Sequence, residues 1–173
     1  MTGTRWTVGL ICAAAVLCAA PGAQAGALWT FDCGLQGWGP ANNITATWED
    51  RAGGKFIYVP KGGDPHGRRL YAAPLADNQY LRFSMDAGTQ PVAARGFVYF
   101  FTEAGHAGIP FDLVDGPHVY TIDLVNDTVE DNGGGQGGTN LSQVRLDLPQ
   151  GNEAEFLDHE FVIDWIYLGT DNA

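Results

Sequence analysis

The stretch "FVIDWIYLG", residues 161–169, sets one carboxylate in an otherwise apolar run. Phe161, Val162, Ile163, Trp165, Ile166, Tyr167 and Leu168 are the residue types of a strand with little solvent on either face. An ionised carboxylate is costly to bury without a partner. Asp164 therefore needs backbone amides, an arginine or some other positive charge beside it.

Working back along the chain, no convincing amphipathic helix occurs. Short β-branched and aromatic runs are separated by Gly, Pro, Asn and Asp clusters such as "KGGDPHG" and "DNGGGQGG". The runs predict strands at 27–32, 44–49, 55–59, 68–72, 79–86, 94–102, 118–124, 141–148 and 160–168. With no fixed-period repeat to indicate a propeller or solenoid, this spacing predicts an all-β, two-sheet antiparallel β-sandwich of jelly-roll type. Alternation sorts the faces. Leu81, Phe83 and Met85 oppose Arg82 and Ser84; Val98 and Phe100 oppose Phe97, Tyr99 and Phe101; Val144, Leu146 and Leu148 oppose Gln143, Arg145 and Asp147.

Residues 1–25 read as a signal peptide. Arg5 supplies the basic start, "WTVGLICAAAVLCAA" the apolar core, and Ala23-Gln24-Ala25 the small-x-small cleavage site. The mature chain is then expected to be residues 26–173, one β-sandwich domain, secreted or periplasmic. No later stretch approaches the roughly 20 apolar residues of a membrane span. Arg5 leaves with the leader, so eight basic residues face 20 acidic ones. That balance argues against nucleic acid and anionic membrane surfaces as partners. Cys12 and Cys18 also lie in the leader, which leaves Cys33 without an internal disulfide partner; it is expected as a buried thiol on a strand, the alternative being a pairing between chains.

The opening "WTFDCGLQGW" (29–38), the late "VYTIDL" (119–124) and "LSQVRLDLP" (141–149), and the closing "FVIDWIYLG" together resemble the galactose-binding-like jelly rolls. That superfamily includes many carbohydrate-binding modules. The resemblance covers the two ends of the chain and fades between residues 50 and 115. It implies first and last strands lying close together, with a structural calcium beside them in many members. Asp32 and Asp164 are the matching positions, and a Ca²⁺ there would account for an acid in an apolar strand.

Sugar binding needs aromatic rings for pyranose C–H faces and planar polar groups for hydroxyls. Arg82, Tyr99, Gln143 and Arg145 fall on polar strand faces, with Asp86 and Asp147 placed to orient the arginines; Trp38 and Trp48 sit near predicted loops. The plainer account of the same residues is cross-strand salt bridges and tryptophans that cap the core. His66, His106, His118 and His159 show no metal-site spacing, and no nucleophile motif occurs. The expected function is an exported, non-catalytic carbohydrate-binding module-like domain that binds a polysaccharide or glycan. The alternatives are a structural or adhesion domain of a surface assembly and a jelly-roll polysaccharide lyase.

Overall fold

The computed structural model describes residues 26–51 and 53–170, so the signal peptide expected at 1–25 lies outside the described residues. Twelve strands form two antiparallel sheets. They are β1 (Ala27–Trp29), β2 (Gly39–Asn42), β3 (Ile44–Glu49), β4 (Lys55–Pro60), β5 (His66–Pro74) and β6 (Tyr80–Asp86), then β7 (Arg95–Thr102), β8 (Gly105–Asp112), β9 (Pro117–Asp123), β10 (Asp131–Asn132), β11 (Asn140–Gln150) and β12 (Phe161–Gly169). The first sheet runs β3-β4-β12-β6-β9, with β1 also paired to β12; the second runs β10-β8-β7-β11-β5-β2. Among the described residues there is no α-helix, only three short 3₁₀ segments. The expected all-β sandwich is the fold observed.

The core lies between the sheets and follows the alternation. Leu81, Phe83 and Met85 of β6 face Val98 and Phe100 of β7 and Val144, Leu146 and Leu148 of β11, all essentially without solvent exposure. Their neighbours Tyr99, Gln143 and Arg145 are left on the outer face of the second sheet. A β-strand turns successive side chains to opposite faces, so burying one set obliges the other to face outward.

Residue 164 departs from the dry-strand reading. The β12–β6 register slips between Ile163 and Trp165, which makes Asp164 the extra residue of a bulge. On the other side β12 pairs Ile163 with Phe56 of β4, and Lys55 follows next. The Asp164 carboxylate forms an ion pair with the Lys55 ammonium and is 48 % exposed. A bulge re-aims one side chain without breaking the strand, and the bulged acid here meets a cation at the sheet surface.

Other boundaries also move. β1 stops at Trp29 rather than 32, because Phe31 takes a positive φ of 58° that ends the extended chain. Cys33 consequently lies in a turn and is exposed, not buried on a strand. β2, β8 and β10 were not expected. β8, "GHAGIPFD", carries glycine and proline that weaken any strand signal.

Candidate functional site

β7 sets Phe97, Tyr99 and Phe101 side by side on the outer face of the second sheet. The Phe97 and Tyr99 rings stack at 5.7 Å and 21°. His106 of β8 extends the row, 6.2 Å from Tyr99 and 5.8 Å from Phe101. Gly108 is what lets the row form. It pairs with Tyr99 across the strands, and a Cβ there would lie 2.6 Å from the Tyr99 ring. Only glycine leaves room for the ring over β8.

β11 supplies the polar flank. The Arg145 guanidinium lies 4.8 Å from the centre of the Tyr99 ring, within cation–π range. Its Nε donates to Asp147 Oδ1 at 2.6 Å and its Nη2 to Asp64 Oδ1 at 2.8 Å, with a further bond from Nη2 to Asp147 Oδ2. The Asp147 side chain is 1 % exposed, and that of Asp64 is 56 % exposed. Asp64 sits at a positive φ of 52°, and its carbonyl accepts from Asn42 Nδ2 at 2.9 Å, which fixes the turn before β5. His66, at the start of β5, lies opposite Asp147, with Nδ1 3.1 Å from the Asp64 carbonyl.

On the far side of the rings, the Tyr99 hydroxyl donates to Asp131 Oδ2 at 3.1 Å, and His106 Nε2 lies 3.5 Å from Asp131 Oδ1. Partial burial, helped by the bond to Asp131, pushes the Tyr99 hydroxyl up to about 12. Burial also pushes the Asp147 carboxyl above its ordinary value, and Arg145 opposes that push. For Arg145 itself burial works against the charge, but the bonds and charges of Asp147 and Asp64 outweigh it, so the guanidinium stays cationic. The face thus presents three part-exposed rings, Tyr99, Phe101 and His106, over the buried Phe97 and beside one arginine locked in place by two carboxylates.

Of the residues expected in a binding face, the structure brings together Tyr99, Gln143 and Arg145. Arg82 stands on the outer face of the first sheet, in register between Tyr167 and Thr121. The two arginines therefore belong to opposite surfaces of the sandwich. Asp147 does orient Arg145, whereas Asp86 accepts from the Gly88 amide at 2.8 Å. Trp38 is a core residue at 2 % exposure, edge-to-face with Trp29 at 5.8 Å, and is not presented to solvent. Trp48 is 38 % exposed on β3 of the first sheet, where its Nε1 donates to the Phe31 carbonyl. Phe97, Phe101, His106, Asp64, His66 and Asp131 complete the face. The β7 alternation already carried the two phenylalanines, whereas His106 and Asp131 lie on strands with no sequence signal.

Among the described residues, the one cluster of three metal-ligating side chains is Asp64, His66 and Asp147, whose ligand atoms lie within 4.8 Å of one another. Arg145 already bridges its two carboxylates, so the cluster has its counter-charge. Asp32 and Asp164 fall outside it. Asp32 Oδ2 accepts from the Thr30 hydroxyl at 2.6 Å, and Asp164 meets Lys55.

The same fold occurs in the family 11 carbohydrate-binding module of Clostridium thermocellum, solved with a β-1,3-1,4-mixed-linked tetrasaccharide: TM-score 0.50, 15 % identity, 83 % of this chain and 94 % of that one. An exo-β-agarase matches with TM-score 0.57 and 10 % identity over 80 % of this chain and 23 % of its own. The endo-1,4-β-D-xylanase 10B of Clostridium thermocellum, solved with xylohexaose, matches with TM-score 0.56 and 10 % identity over 84 % of this chain and 28 % of its own. The chain thus has the jelly-roll fold of carbohydrate-binding modules and spans about a quarter of those two enzymes' length. No family model matches the sequence, and neither does any curated protein.

Proposed function

We propose that this protein is an exported, non-catalytic carbohydrate-binding domain that holds a polysaccharide on the outer face of its second sheet. The observation that carries the reading is the row Tyr99–His106–Phe101, three part-exposed rings backed by the buried Phe97, beside a fixed Arg145. Rings accept the apolar faces of pyranoses, and a guanidinium held in one orientation can donate to paired hydroxyls with little further ordering cost. Gln143, in register with Phe101, adds an amide that can both donate and accept. Export rests on the leader pattern of residues 1–25.

Affinity electrophoresis through gels of neutral polysaccharides tests the reading. Tyr99→Ala should weaken binding about tenfold, the order expected for losing one stacking ring, while the melting temperature stays near that of the unaltered protein. Failure to bind any neutral or acidic polysaccharide would favour the structural or adhesion alternative.

A lyase draws on the same face, since Tyr99, His106, Arg145 and Gln143 all stand on it. A tyrosine base, however, must give up its proton readily, and burial raises Tyr99 to about 12. The expected result is no rise in ultraviolet absorbance from unsaturated product during incubation with polysaccharide. A calcium ion on Asp32 and Asp164 is a separate proposal, which has its readout in the stability of the whole chain.

A further inference from the structure

Within residues 26–170, Arg51, Arg95 and Arg145 each meet a carboxylate, and Arg82 has an interaction of its own. Arg68 and Arg69 meet no carboxylate among the described residues. In a chain where 20 acidic residues outnumber nine basic ones, two adjacent arginines without an acid stand out. Arg69 Nε is moreover buried without a hydrogen-bond partner. With Nε covered, any acceptor from solvent has to meet the terminal nitrogens of the guanidinium fork.

Arg68 and Arg69 start from opposite faces of β5, and both border one depression at the sheet edge. Arg68 points outward in the row of Arg145 and Tyr99. Arg69 turns under the sheet edge to Gly37, where a Cβ would lie 1.5 Å from its Nη1. Both line an open depression of about 230 Å³ beside the edge strand β2, together with Gly37, Gly39, Pro40 and Leu70. That is below the roughly 300–1,000 Å³ of drug-sized sites, a fit for one charged substituent and part of its ring rather than a length of chain.

We infer that the glycan this domain binds is acidic, with a carboxylate or sulfate ester seated between Arg68 and Arg69. This rests on the sugar-binding reading and deepens it. Guanidinium forks match the paired oxygens of both groups. Arg68 on β5 lies two strand spacings from Tyr99 on β7, about 10 Å, so a neighbouring sugar on the same chain can stack on the rings. The protein's net charge of −11 does not forbid this, because charges more than about 8 Å away are largely screened at physiological ionic strength.

Isothermal titration of the purified protein tests the inference with two polymer pairs. One pair is polygalacturonate and its fully methyl-esterified form; the other is a sulfated galactan and the same galactan desulfated. One acidic polymer should bind at least about tenfold more tightly than its neutral partner, and which pair shows the preference tells carboxylate from sulfate. Arg68→Gln and Arg69→Gln should each remove most of that preference while leaving affinity for the neutral partner within about twofold. Arg68 is exposed, so its variant keeps the test open if Arg69→Gln fails to fold. Equal binding of acidic and neutral forms, or a preference that survives Arg68→Gln, overturns the inference. If that equal binding is still lost in Tyr99→Ala, the sugar-binding reading stands without it; no binding of any polymer overturns both.

Discussion

Arg145 leans on two carboxylates of very different exposure, and the difference predicts different costs. The Asp147 side chain is 1 % exposed and grips the guanidinium with both oxygens, whereas Asp64 is 56 % exposed and reaches it with one. Asp147→Ala strands a mostly buried cation beside a solvated acid and should destabilise the fold by about 3 kcal/mol. Asp64→Asn keeps a residue suited to the positive φ of 52° and removes only a screened charge, so it should cost less than about 1 kcal/mol. Urea denaturation of the two variants measures the contrast, and equal losses would mean that the pair is not the anchor of this face. Asp164 follows the same logic from the other direction. A carboxylate in an apolar run looks buried on paper, yet a one-residue bulge turns it to the surface, where Lys55 neutralises it. No pattern of apolar and polar residues encodes that bulge.

Strands whose two faces differ were legible, and strands without a contrast were not. β6, β7 and β11 alternate large apolar side chains with polar or aromatic ones, so their inner faces and the outward set Tyr99, Gln143 and Arg145 could be read directly. β8 was hidden because the Tyr99 ring occupies the place of a side chain at Gly108. The feature that makes the platform possible is the one that erases the strand signal. Trp38 and Trp48 were indistinguishable by neighbourhood, and only the packing of Trp29 against Trp38 decides between them. The hairpin joining β7 to β8 carries a pH-dependent tie of its own. Glu103 accepts from the Thr139 amide and hydroxyl, both at 2.8 Å, and from the Asn140 amide at 3.0 Å. These bonds, led by the Thr139 amide, hold its carboxyl at about 2 against an ordinary 4.5. Between those values the unfolded chain binds the proton more readily. The tie is therefore fully present above 4.5 and is lost as pH falls toward 2. The stability gap between the protein and Glu103→Gln should stay constant above that window and close within it; a gap that persists at pH 2 would detach the effect from this carboxyl.

The molecule as a whole has no internal disulfide among its described residues, so its two apposed sheets must supply the stability. That makes thermal melting a direct test of calcium. An ion shared by Asp32 and Asp164 has to displace Lys55. If it does, a hundredfold excess over Kd adds about 2.7 kcal/mol and raises the melting temperature by about 5–10 °C. Asp164→Asn should abolish that rise, and identical melts in chelator and in calcium would assign Asp164 to Lys55 alone. The pairing of β1 with β12, Ala27 opposite Leu168, has one more consequence. Both ends of the domain leave from neighbouring strands of the first sheet, on the side away from the ring row. The fold is thereby a plug with its lead wires at the back: cargo spliced to either end trails behind the surface that grips, and a row of such units on a common thread would keep every grip free.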